Sequence, residues 1–114
     1  MAFRSLPEFV EHLATMYRRP VGAGNGIGRW CPEWWKHPEA ISRLESLWRA
    51  YENLRQGAGT EMSSYWRDHV DHHMRVLLSS DGPFKFCSAD EGHDPTRPKK
   101  LPLSPPPTGL FDSM

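Results

Sequence analysis

Apolar residues recur at helical spacing in three separate stretches. Leu6, Phe9, Val10, Leu13, Met16 and Tyr17 make the first stripe. Ser5 and Glu8 form an S-x-x-E capping box ahead of it, with Pro7 tolerated in the first turn. Arg18 and Arg19 suit the negative end of the helix dipole and Pro20 stops the run, so a helix is predicted over about residues 6–19. Ile41, Leu44, Leu47, Trp48, Tyr51 and Leu54 make the second stripe, opened by Pro38 and closed by Gly57 and Gly59, for a helix over about 38–56. Arg43, Glu45, Arg49 and Glu52 fall on its other faces. The third stripe, Met62, Trp66, Val70, Met74 and Leu77, predicts a helix over about 61–78. His69 and His73 lie on that stripe, while Arg67, Asp68, Asp71, His72 and Arg75 form a charged face with i,i+4 ion pairs.

The connecting segments are equally distinct. Residues 21–29, VGAGNGIGR, alternate glycine with other residues but match G-x-G-x-x-G in no register, and they follow a helix rather than a strand. The expected role is a flexible linker. Residues 30–37, WCPEWWKH, hold three tryptophans, expected to pack on the core as a lid or a first helical turn. Asp81-Gly82-Pro83 marks a turn, and Phe84-Lys85-Phe86-Cys87 is a short return. From Asp94 onward six of 21 residues are proline, which predicts a disordered tail of polyproline II character. Its Pro102-Leu103-Ser104-Pro105 fits P-x-x-P, a match that such a composition produces almost by itself. The fold expected is therefore mainly α: one three-helix domain over residues 1–93, with a Gly-rich linker and a disordered Pro-rich tail over 94–114.

Composition narrows the function classes. Formal net charge is zero, with four Arg against two Glu in residues 1–29, seven Lys/Arg against ten Asp/Glu in 30–93, and three against two in 94–114. That is no global signature for nucleic acid, although Arg18, Arg19 and Arg29 could touch phosphate. No apolar run approaches the roughly 20 residues of a membrane span, and no secretory signal is read at the start, so a cytoplasmic setting with reduced thiols is expected. A core of this size is marginal and gains from a staple such as a metal.

Chemistry-bearing residues are few. His69 and His73, four apart, project from one helix face as two nitrogen ligands to a tetrahedral ion would. Cys31 precedes the second helix and Cys87 follows the third, so a helical hairpin brings both sulfurs toward the end of helix three. Together they would make a closed, structural Cys2His2 zinc site. Core histidines satisfied by other partners, with unpaired thiols, is the competing reading, and a Cys31–Cys87 disulfide is a third. His37, His72 and His93 are alternative ligands. No nucleophile elbow or activated cysteine is present, and four protein ligands leave no open position for water, which argues against an enzyme.

The strings Trp30-Cys31-Pro32-Glu33-Trp34-Trp35-Lys36-His37-Pro38 and Arg43-Leu44-Glu45-Ser46-Leu47-Trp48, with Trp66-Arg67-Asp68-His69-Val70-Asp71-His72-His73-Met74 and Asp81-Gly82-Pro83-Phe84, carry a resemblance. Over about residues 10–90 the chain resembles the uncharacterised family catalogued as domain of unknown function 4913, found in actinobacteria, their phages and their plasmids. The resemblance implies such a source and a cytoplasmic location, and no activity. Its matching strings include Cys31, His69, His73 and Cys87 and support the metal reading. The function expected is an accessory binding module, with an unknown protein as partner. Trp34 and Trp35 become interface anchors if exposed. Nucleic-acid binding through the arginine-rich ends is the alternative, and a metal-dependent hydrolase using Asp68 or Asp71 is a more distant one.

Overall fold

A computed structural model of the chain describes residues 1–22 and 27–113. Helix α1 spans Leu6–Met16. Ser5 caps it, its Oγ accepting the Glu8 N–H at 3.4 Å, as the capping box predicts. The helix stops three residues short of the predicted end, because Tyr17 leaves helical geometry and the Arg18 Nε instead donates to the Thr15 carbonyl at 2.9 Å. Phe9, Val10 and Leu13 are its buried face.

Helix α2, Pro38–Leu54, is the central element and packs on both other helices. Ala40, Leu44 and Leu47 are buried as expected. Glu52 is not on an outer face: it is buried at 9% exposure. A buried carboxylate needs several donors. It takes four here: the N–H groups of Ala2 and Phe3 at 2.8 and 3.0 Å, the Trp48 indole at 3.0 Å and the Arg55 guanidinium at 3.0 Å. Burial by itself would raise its pKa; these four donors outweigh that and hold it down to about 2.

The third helix, α3, covers residues 61–77 in three parts: α-helical Glu61–Ser64, a π-helical turn over Tyr65–Val70, and α-helical Asp71–Leu77. The helix predicted over about 61–78 is present, and its π turn adds a residue to the buried stripe. At 100° per residue, Tyr65 and Val70 would lie about 140° apart on an α-helix. The wider turn brings both into the core, at 3% and 0% exposure, and Met74 and Leu77 continue that stripe. His69 and His73 sit half-buried beside the stripe rather than within it.

The connections are tight where they are described. Val21 and Gly28 pair across the glycine-rich segment, Gly22 N–H donating to the Gly28 carbonyl at 2.9 Å and Gly28 N–H to the Pro20 carbonyl at 3.2 Å. A side chain at Gly28 would crowd the Pro20 carbonyl and Leu78. The linker expected there has pinned ends, while Gly24 and Gly26 lie outside the described residues. Arg29 N–H then donates to the Leu78 carbonyl at 2.9 Å, fastening the start of the tryptophan segment to the end of α3. Trp34–Lys36 form a single 3-10 turn before α2. Residues 95–113 are exposed and hold neither helix nor strand. No helix among the described residues is long and apolar enough to cross a membrane.

Candidate metal centre

The two loops that flank the α2–α3 hairpin meet. One runs from Arg29 into α2, and the Lys36 and His37 N–H groups donate to the Glu33 and Trp34 carbonyls, both at 3.0 Å. This turn holds Cys31 on its inner side and leaves His37 at the N-cap of α2. The other begins at the predicted Gly82 turn, where any side chain would run into the Val76 carbonyl. Successive turns, Lys85 N–H to the Gly82 carbonyl and Cys87 N–H to the Phe84 carbonyl, deliver Cys87. Ser88 and Gly92 then pair in both directions at 3.1 and 2.7 Å, closing a loop that needs Gly92 at φ +80°. His93 follows immediately and points back.

Cys31, His37, Cys87 and His93 thereby place one donor atom each within 4.8 Å of all the others. The Nδ1 of His93 lies 3.5 Å from the Cys31 sulfur, 3.7 Å from the Cys87 sulfur and 3.1 Å from the His37 Nε2. The His37 Nε2 lies 3.6 Å from the Cys87 sulfur. An ion with Zn–S of about 2.3 Å and Zn–N of about 2.0–2.1 Å sets tetrahedral edges of about 3.6 Å for S···N and about 3.3 Å for N···N. The observed edges fall within a few tenths of an ångström of these. A ring nitrogen has one lone pair or one hydrogen, so the His93 Nδ1 cannot be satisfied by three neighbours through hydrogen bonds. Four donors facing one point fit a cation.

The surroundings suit a closed site. Cys31, Cys87 and His37 are buried at 0%, 3% and 6% exposure, with His93 half-buried. Phe84, fully buried, lies edge-on to His37 at 4.9 Å between ring centres, and Trp30 packs on its other side at 5.0 Å. Burial, together with a hydrogen bond to Cys87, pushes the Cys31 thiol up to about 11, while the Glu33 backbone N–H works the other way. Burial, and then the neighbouring His93, hold His37 below its ordinary pKa, so its imidazole stays neutral and able to ligate. Both cysteines are free thiols, not a disulfide. The four residues can hold a metal ion, and a donor set of two sulfurs and two imidazoles is compatible with zinc.

Two of the four expected ligands, Cys31 and Cys87, meet in this cluster; His69 and His73 are not part of it. His73 Nδ1 faces the Arg43 guanidinium at 3.0 Å, and burial followed by that positive charge lowers its pKa. His72 packs on His73 and is exposed. The ligands that replace them, His37 and His93, carry a signal in the chain: Cys31 to His37 and Cys87 to His93 are both Cys-x5-His, the same unit twice.

The family model for Domain of unknown function (DUF4913) matches residues 3–107. The chain belongs to the DUF4913 family. No curated protein and no solved structure matches the chain. The matched span of this DUF4913 member includes all four donors and all three helices.

The remaining expected sites divide. Trp35 is exposed at 54% and Trp34 is half-buried. Arg18 and Arg19 are exposed at the end of α1, Arg19 lying over the Tyr17 ring at 3.9 Å. Arg29 turns inward, its guanidinium donating to the Gly22 carbonyl at 2.9 Å, so it does not extend a basic surface with the other two. Asp68 is exposed and paired with Arg67 at 2.9 Å, and it is not part of the Cys31–His37–Cys87–His93 cluster.

Proposed function

We propose that this DUF4913 member is a zinc-stapled helical binding module, in which the ion closes the loop ends of the α2–α3 hairpin and an aromatic face contacts a protein partner. The single observation carrying the staple is the tetrahedral spacing of the Cys31, His37, Cys87 and His93 donor atoms. The role is structural rather than catalytic, because four protein ligands fill a tetrahedral ion and leave no place for a substrate water. Binding requires loss of the two thiol protons and ties together the two loops that carry the ligands. Such thiolates favour a reducing, cytoplasmic setting. An accessory role in a mobile element or phage follows from the family resemblance alone.

The partner-facing reading rests on Trp35, a large apolar side chain left in solvent beside the buried site. Nucleic acid is the weaker reading, since of the three nominated arginines only Arg18 and Arg19 stay exposed.

The test is metal analysis of untagged protein together with its melting temperature before and after a chelator. About one zinc per chain, with a large reversible fall in melting temperature on removal, is expected. Metal-free protein that gains nothing from added zinc would overturn the reading.

A further inference from the structure

Among the described residues, two apolar surfaces lack partners. The first is a face along α1. Two adjoining hollows of about 520 and 560 Å³ share Val10, Glu11, Ala14 and Trp30. One continues to Tyr17, Arg18 and Arg19, and the other to Pro32, Trp34 and Trp35. The second is the tail, where Leu101, Leu103, Leu110 and Phe111 are 55–82% exposed.

We propose that the aromatic face of α1 is the docking site for the proline-rich tail of a second copy of this chain, and that two copies exchange tails reciprocally. The chemistry matches: ridges of Trp and Tyr are what polyproline II segments dock against, since the extended chain presents proline rings with little entropy to lose. Length matches as well. The six residues 102–107 span about 19 Å in polyproline II, against about 16 Å for the eleven residues of α1. Charge fixes a direction. The stretch starts after Lys99 and Lys100 and is followed by Asp112. Glu11 is shared by both hollows, while Arg18 and Arg19 line only the end away from Trp35. A tail running from Trp35 toward Arg19 therefore brings Asp112 to the two arginines. The tail lies off its own face, with Leu101 and Leu103 more than three-quarters exposed. A second copy can fill that face while lending its own tail, which closes the assembly at two chains.

The proposal rests on the binding-module reading but not on the metal, and its test keeps the two apart. The zinc-loaded full chain is run in sedimentation equilibrium from about 5 to 500 μM, beside the tail variant Leu101→Ser/Leu103→Ser and the face variant Trp35→Ser. Zinc content and melting temperature are recorded for all three. A parent dimer, with both variants monomeric at unchanged zinc content and melting temperature, is expected. Mixing the two variants should restore about half-occupied dimers, since each supplies what the other lacks. A parent monomeric throughout would overturn the proposal, and so would a dimer that either variant leaves intact. A monomeric parent in which the tail substitutions still shift the Trp35 indole resonance would place the tail on its own face and overturn the exchange.

Discussion

The two ends of α2 are held by opposite means. At its start, His37 joins Cys31, Cys87 and His93 around one point, and the ends of two loops converge there. Near its finish, about 22 Å further along the helix axis, Glu52 gathers the Ala2 and Phe3 backbone, Trp48 and Arg55 around one carboxylate. The Glu52 end also has an aromatic cluster, Phe3, Phe9 and Tyr51 within 6.0 Å of one another, with Tyr65 5.5 Å from Tyr51. Both anchors bury polar atoms. The carboxylate finds all its donors in the chain, whereas the four candidate ligands face one another, with the Glu33 backbone N–H at Cys31 besides. One end is complete on its own, and the other has the donors to hold an ion.

That contrast breaks most sharply at the ligands. With zinc at 100 to 1,000 times its dissociation constant, binding adds about 3–4 kcal/mol. For a domain of this size that is a melting-temperature difference of roughly 12–30 °C. Cys31→Ser, Cys87→Ser, His37→Ala and His93→Ala are each expected to lose zinc and most of that increment, read by metal analysis and calorimetry. Hydrogen exchange should locate the loss, with residues 29–37 and 84–93 opening and the Ala2–Phe3 amides staying protected.

Glu52→Gln should produce the converse pattern. It keeps zinc, and its melting temperature falls by less than in the ligand variants. The Ala2 and Phe3 amides lose protection while the metal loops keep theirs. Exchange patterns that did not separate in this way would mean the two ends unfold as one.

Acidity and alkalinity sharpen the comparison further. Glu52 is held down to about 2, so its contribution is present above its ordinary pKa near 4.5 and is lost as pH falls from there toward 2. Cys31 is pushed the other way, up to about 11 from an ordinary value near 9. In metal-free protein its contribution is present below pH 9 and is lost as pH rises toward 11. Zinc removes that alkaline loss by stabilising the thiolate. His37 is lowered, so in metal-free protein its contribution is present above about 6.5 and is lost as pH falls below its depressed value. Melting curves of zinc-loaded and metal-free protein should therefore diverge most above pH 9. The Glu52→Gln variant should flatten the acid limb alone. Identical alkaline limbs with and without zinc would contradict the thiolate assignment.

The smallest effect belongs to the surface. Arg49→Ala breaks an exposed i,i+4 pair with Glu45 and should stay within about 0.5 kcal/mol, with zinc and both ends intact.

These two ends were unequally visible in the amino-acid order. The three helices were legible because Phe9, Val10, Leu13, Leu44, Leu47, Met74 and Leu77 follow the 3.6-residue period and are buried. Glu52 was not, because periodicity assigns a charged residue outward and does not see four donors assembled from residues up to 50 positions away. The π turn at Tyr65–Val70 was hidden for a related reason: a constant 100° per residue turns Tyr65 away from the Val70, Met74 and Leu77 stripe, and the wider turn brings it in. Cys31 and Cys87 were legible as partners from the hairpin alone. His37 and His93 were legible only as alternatives to His69 and His73, since the i,i+4 rule favours a helix, and this site is built from turns. The repeated Cys-x5-His unit was the available cue, and it needs no helix.

The central claim is which histidines face the ion, and four single variants decide it. His37→Ala, His93→Ala, His69→Ala and His73→Ala, purified without a tag, are assayed for zinc by native mass spectrometry beside the parent protein. The account predicts about one zinc per chain in the parent, His69→Ala and His73→Ala, and loss of zinc in His37→Ala and His93→Ala. Zinc retained in the latter two, or lost in His69→Ala or His73→Ala, would contradict it.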